Sequence, residues 1–143
     1  MKISSKGRYG LAALASMAKH EGVEKIVTIV SLSERLEISK IYLEQVFSLL
    51  KRGGFVTSVK GPNGGYHLAK QPKDITAFDV LSAIDSTLFE KTETTHAKRE
   101  ESLERSINEH VYATLDNAVK ETLLGISLED IVSASNEEYM YYL

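Results

Sequence analysis

The chain reads "SKIYLEQ" from position 39 and "KGPNGG" from position 60. In the first stretch Ser39 can bond a phosphate and Lys40 can neutralise one. Tyr42 can reach backbone or a base edge, Glu44 can accept from cytosine and Gln45 can pair with adenine. Together these side chains could read DNA. The plainer account is that any surface helix shows polar residues, and Glu44 alone is as readily a solvated charge. In the second stretch Lys60 precedes Gly61, Asn63 and Gly64, which raises three possibilities: a phosphate cradle, a hairpin turn or a nucleic-acid loop. A Walker-type loop needs a Gly-Lys pair ahead of a helix, whereas here no such pair exists and a strand pattern follows. That leaves a hairpin tip carrying Lys60.

Catalytic and metal chemistry find little support. Histidines 20, 67, 96 and 110 are scattered, with no H-E-x-x-H and no G-x-S-x-G elbow. The chain has no cysteine, so disulfides, thiolate-held zinc and cysteine-ligated iron–sulfur clusters are excluded. Glu100, Glu101 and Glu104 open a helical pattern, where carboxylates complement the helix dipole. The expectation is no enzyme, no metal and no cofactor.

The elements that would carry the DNA-facing residues follow from caps and periodicity. Ser4 or Ser5 can cap a helix running to about His20, which places Lys6 and Arg8 in its first turn as phosphate contacts. Lys2, Lys6 and Arg8 before "LAALASMA" superficially resemble a leader. The i, i+4, i+8 spacing of Tyr9, Ala13 and Met17 instead reads as the core face of an amphipathic helix. After a loop and a short connecting strand, Ile29, Leu32 and Leu36 mark a second helix, broken at "EIS". Ser39 caps a third helix to about Lys51, in which Ile41, Leu43, Val46, Phe47, Leu49 and Leu50 are apolar.

Two short helices about a three-residue turn apart match helix-turn-helix spacing, with Ile38 bracing the turn. Gly53 and Gly54 can end the third helix in the left-handed conformation. "FVTSVK" and "YHLA" are strand candidates around "GPNGG", where Asn63-Gly64 tolerate positive φ. Three helices and a two-stranded wing make a winged helix, whose hairpin tip reaches the DNA backbone or minor groove.

Beyond Pro72, Thr76 and Asp79 form a capping box for a short helix. Residues 86–98 lack periodicity and read as an exposed linker. From about Lys98 to Leu124 a long helical pattern carries Leu103, Ile107, Val111, Leu115 and Val119 in one stripe, over roughly 40 Å. A second copy across a twofold axis would cover it, giving a homodimer. The alternative is a helix folded back on its own domain. Ser127 caps a last short helix, and the chain closes on "NEEYMYYL".

The fold class expected is therefore mainly α: a winged helix-turn-helix over residues 1–85, a linker over 86–98, and a dimerisation helix with a C-terminal helix and tail over 99–143. Charge divides along the same line. Residues 1–70 carry 11 Lys and Arg against 5 Glu, while residues 71–143 carry 6 against 15 Asp and Glu. A basic front and an acidic back suit a nucleic-acid reader joined to a regulatory part, although solvated charge alone gives the same balance. No apolar run is long enough to span a bilayer, so no membrane partner is expected.

"MKISSKGRYGLAAL", "ISKIYLEQVFSLLKRGGFV" and "SVKGPNGGYHLAK" together resemble the Rrf-two family of bacterial winged-helix regulators, the IscR, NsrR and CymR type. The likeness is most specific over residues 1–85. It implies a cytoplasmic, dimeric transcription factor, usually a repressor, on a palindromic double-stranded operator. It further implies that Tyr42, Leu43, Glu44 and Gln45 form the base-reading segment and that Lys60 enters the minor groove. Arginine is common at that wing position, and lysine gives up its planar bidentate bonding. Ile41 stands where a serine can occur.

Iron–sulfur members hold their cluster with three cysteines in the region of residues 86–103, and this chain offers none. The length, opening and "EEYMYYL" ending resemble the cysteine-metabolism repressors of the family, which implies cysteine synthase (O-acetylserine thiol-lyase) as a partner. Tyr139, Met140, Tyr141, Tyr142 and Leu143 are the candidate docking tail, or else pack on the dimer's long helices. Two other functions fit the same residues: a regulator of this fold that senses a small molecule near residues 76–105, and a winged-helix interaction adaptor that binds no DNA.

Overall fold

The computed structural model describes residues 1–94 and 100–141, with side chains as far as Glu137. Helices α1 (Ser5–His20), α2 (Ile29–Leu36) and α3 (Lys40–Arg52) precede strands β1 (Val56–Val59) and β2 (Gly65–Leu68). Helices α4 (Ala77–Ile84), α5 (Glu101–Ile107), α6 (Ala113–Leu124) and α7 (Leu128–Tyr141) follow, with a π turn at Asn108–Tyr112 joining α5 to α6.

Side-chain caps set the starts of the first four helices. Ser4 accepts from the Gly7 amide at 3.0 Å, Thr28 from Ser31 at 3.1 Å, Ser39 from Tyr42 at 3.2 Å and Thr76 from Asp79 at 3.1 Å. Each satisfies an amide that the helix itself leaves without a partner. Helix α2 stops because Glu37 adopts the left-handed conformation, φ 55°. The turn into α3 is then closed by the Ser33 hydroxyl, which donates to the Ile38 carbonyl at 2.6 Å, while Ile38 packs against the core.

Leu14, Met17, Leu32, Leu43, Phe47 and Leu50 are fully buried where α1, α2 and α3 meet, joined in the same core by Leu68 of the wing and Ile75 ahead of α4. Phe47 lies at 4.8 Å centroid separation from Tyr66 on β2, which fastens the wing to α3. Burying a side chain of this class is worth about 1.5–3 kcal/mol.

The hairpin pairs Val56 with Leu68 and Val59 with Gly65 in antiparallel register. Its turn differs from the expectation at Asn63-Gly64, because positive φ falls on Gly61 at 106°. Gly64 instead donates its amide to the Gly61 carbonyl at 3.0 Å, and a Cβ there would collide with the Val59 carbonyl. At the end of α3 only Gly54 is left-handed, φ 78°, while Gly53 keeps the right-handed conformation. The connecting strand after α1 reduces to Val27, which exchanges amide hydrogen bonds with Tyr66 at 2.9 and 2.8 Å.

Two expectations for the second half need correction. Residues 86–94 are mostly exposed as expected but tethered: Phe89 packs on Phe78 at 4.7 Å, and the Thr92 amide and hydroxyl both donate to the Asp116 carboxylate. Residues 95–98 lie outside the described residues. The last helix is 14 residues long rather than short. It packs on α1, with Leu128 fully buried and Lys19 Nζ donating to Ser135 Oγ at 2.8 Å. Its start is held by backbone bonds from Ala77 to Ile126 at 2.8 Å and from Leu128 to Ile75 at 2.9 Å.

The long helix begins at Glu101 and reaches Leu124 through the π turn. Leu103, Ile107, Val111 and Leu115 stand four residues apart, so in a helix of about 3.6 residues per turn their stripe would creep around the axis. A single turn of i→i+5 bonds wraps more residues and returns most of that drift. Leu103, Val111 and Leu115 are 56 %, 53 % and 60 % exposed, so the protomer leaves the stripe largely uncovered. Helix α6 nevertheless meets α4 on another side, where Lys120 Nζ lies 5.5 Å from the centre of the Phe78 ring.

Candidate nucleic-acid interface

Helix α3 divides lengthwise. Leu43, Val46, Phe47 and Leu50 turn into the core, and Lys40, Ile41, Glu44, Gln45, Ser48, Lys51 and Arg52 are exposed. Those exposed positions recur at three- and four-residue steps, which makes one face. Ser39, also exposed, accepts the Tyr42 amide with its hydroxyl oxygen as the helix cap, which leaves its O–H free to donate.

Tyr42 is half-buried, because its ring packs edge-on against Tyr9 with centroids 5.2 Å apart. From sequence Tyr9 read only as a core-face residue, and its role as a prop for Tyr42 carries no local signal. Ile41 was counted among the apolar residues of α3, yet it is 71 % exposed.

The other candidates lie at the start of α1 and the tip of the wing. Lys6 and Arg8 are exposed in the first turn of α1, where Arg8 Nη2 donates to Ser5 Oγ at 3.0 Å. Lys60, Gly61 and Asn63 are exposed at the tip and Gly64 is half-buried beneath it. The Phe47–Tyr66 contact holds this hairpin beside α3, and the bond from the Ala69 amide to the Phe55 carbonyl, 2.9 Å, extends its ladder.

Helix termini add to the electrostatics. The first turns of α1, α2 and α3 contain no acidic residue. By contrast, Asp79 opens α4, Glu101 and Glu104 open the long helix, and Glu129 and Asp130 open α7. Carboxylates in a first turn stabilise a helix but repel phosphate. Their absence from the three N-terminal helices leaves those amide ends compatible with a polyanion.

The ion pair Arg35–Glu21 joins α2 to the end of α1, and Glu21 raises the Arg35 pKa by hydrogen bonding. At α7 the Ser127 amide holds the Asp130 carboxyl below its ordinary pKa. Of the stripe residues, Ile107 and Val119 are half-buried, and Leu103, Val111 and Leu115 are exposed. Of the tail residues, Tyr139, Met140 and Tyr141 continue α7, while Tyr142 and Leu143 lie outside the described residues.

Among the described residues no helix is long and apolar enough to cross a membrane, and no group of three or more His, Cys, Asp or Glu could hold a metal ion.

A family model described as Rrf2, iron-dependent transcriptional regulator, matches residues 3–134. The regulator CymR of Bacillus subtilis is 35 % identical over the full length of both chains. The regulator IscR of Photorhabdus laumondii is 36 % identical over 98 % of this chain and 83 % of its own. Among solved structures, CymR of B. subtilis, described as a global cysteine regulator, superposes with TM-score 0.77 at 34 % identity, covering 94 % of this chain and 98 % of that one. IscR of T. potens gives 0.74 at 32 % identity, covering 99 % and 97 %.

The iron in the family description does not fit this chain, which has no cysteine and, among the described residues, no substitute ligand cluster. A winged helix with an open polar edge on α3, matched along nearly its whole length, places the chain in the Rrf2 family of DNA-binding transcriptional regulators.

Proposed function

We propose that the protein is a homodimeric repressor that reads a palindromic operator. In each half-site α3 enters the major groove while Lys60 grips beside it. The single observation that carries this is the fully open face of α3, with its buried face anchored by Phe47 and its flank guarded by the wing. Lys40, Glu44 and Gln45 supply charge and base-edge chemistry, and Lys6, Arg8, Ser39 and Lys60 with the Gly61–Gly64 tip meet phosphate or the minor groove. The exposed Leu103, Val111 and Leu115, with Ile107 and Val119, form the twofold interface. Half-site centres then lie about one helical turn of DNA or a multiple apart.

The genes under control are those of cysteine metabolism, a reading supported by the likeness to the global cysteine regulator of B. subtilis. Cysteine synthase is the partner, docking on the tail from Tyr139 to Leu143. Gel shifts on a duplex selected from a random pool test both halves. Binding at low salt is expected, tightened by added cysteine synthase and indifferent to that enzyme once Met140–Leu143 are deleted. An absence of binding at low salt would leave the adaptor function instead.

One observation favours a small-molecule signal as a second reading. A cavity of about 670 Å³ lies between residues 87–92 and α6, lined in part by Phe78, Phe89, Leu115, Lys91 and Lys120. A thermal shift with candidate metabolites, abolished by Phe89→Ala, would support it.

A further inference from the structure

Of the apolar side chains on α3, four are buried, Leu49 is half-buried, and Ile41 is 71 % exposed. Nothing in the local structure accounts for an isoleucine there. A β-branched residue is a slightly poorer helix former than the lysine and glutamine around it, and it gains no burial in the protomer. It stands in the first turn, one position after Lys40, and shares a face with Glu44 and Gln45 at i+3 and i+4. The β-branch also fixes χ1 in a helix, so its methyl groups are presented with little freedom to lose. In the major groove of DNA the base edges offer one apolar group, the C5 methyl of thymine.

We propose that Ile41 is a specificity-determining residue that packs on a thymine methyl next to the base pair read by Glu44 or Gln45. The inference rests on the assignment of α3 as the recognition helix. The operator half-site accordingly contains a thymine that hydrogen bonding alone does not select. A thymine analogue lacking only the methyl group is disfavoured by the loss of that contact.

The test is a scan in which each thymine of a selected duplex is replaced in turn by deoxyuridine, which lacks only the methyl. Wild type, Ile41→Ala and Ile41→Val are titrated by fluorescence anisotropy, with sedimentation to follow assembly. At one thymine per half-site the replacement is expected to weaken wild type about fourfold, the worth of one buried methyl group. Ile41→Ala should bind both duplexes alike, Ile41→Val should keep the preference, and 5-methylcytosine at that position should recover part of the wild-type affinity. The proposal is overturned if no thymine shows a methyl effect that Ile41→Ala removes, or if Ile41→Ala alters assembly and leaves base preference intact. Failure of wild type to bind any duplex would instead refute the recognition-helix assignment itself.

Discussion

The ring of Tyr42 meets that of Tyr9 edge-on, with centroids 5.2 Å apart and planes at 84°. The contact ties the first turn of α3 to the first turns of α1, the two segments proposed to meet bases and phosphate. An aromatic pair of this geometry is worth about 1 kcal/mol beyond its burial. Tyr9→Ala should therefore lower the melting temperature and, with α3 no longer propped, weaken operator binding, whereas Tyr42→Phe keeps the ring contact and tests the hydroxyl alone. Anisotropy titration and a thermal melt read both. Unchanged affinity in Tyr9→Ala would show that the prop does not position α3.

Lysine and glutamine at the interface should fail in different ways. If the proposed Lys60 contact is to phosphate, Lys60→Ala should weaken binding on all duplexes and the slope of log K against log salt should fall by about one unit. Gln45→Ala should leave the slope unchanged and relax preference at one base pair, at a cost of about 1–3 kcal/mol.

Glu37 holds the helix-turn-helix corner at φ 55°, a conformation that costs a side chain with a Cβ about 1–2 kcal/mol. Glu37→Gly should stabilise the fold by about 1 kcal/mol after the entropy of glycine is counted. A urea midpoint that rises with an unchanged m-value is the expected result.

The π turn makes an unusual forecast for the long helix. Leu115→Glu should convert a dimer to a monomer in sedimentation velocity. Deleting His110 alone should preserve the dimer, because an all-α helix with steps of four, three and four keeps Leu103, Ile107, Val111 and Leu115 on one face. Deleting Glu109 as well turns the halves apart by a further ~100° and should abolish it.

Acid should loosen α7. The Ser127 amide favours the Asp130 carboxylate and depresses its folded-state pKa. The cap's contribution is therefore present above the ordinary carboxylate pKa of about 4 and is lost as pH falls through the lower folded value. Asp130→Asn should remove that step from a helicity-against-pH curve.

What was legible in the chain was mostly local. Ser4, Ser39 and Thr76 announce their helices because each cap bonds an amide three residues on, whereas the Thr28 cap of α2 emerged only in the structure. The alternation around "GPNGG" likewise marks the hairpin. Features held by distant partners left no such mark. Helix α7 is fastened through Leu128 to Ile75, residues 86–94 through Phe89 on Phe78 and Thr92 on Asp116, and the prop behind Tyr42 comes from Tyr9. The π turn escaped for another reason: steps of four over so short a stripe drift only gradually around an α-helix, so the spacing marks no particular place for a bulge. At the candidate interface, residue types were readable, but the exposure of Ile41 depended on how α3 rolls against the core.

The most direct measurement is selection of bound duplexes from a random pool by wild type and by Gln45→Ala, compared base by base. Wild type should enrich a palindrome with two equivalent half-sites, and the variant should lose preference at one symmetric pair of positions. Enrichment of no motif at low salt, or a motif the substitution leaves untouched, would contradict the assignment of α3 as the reading element.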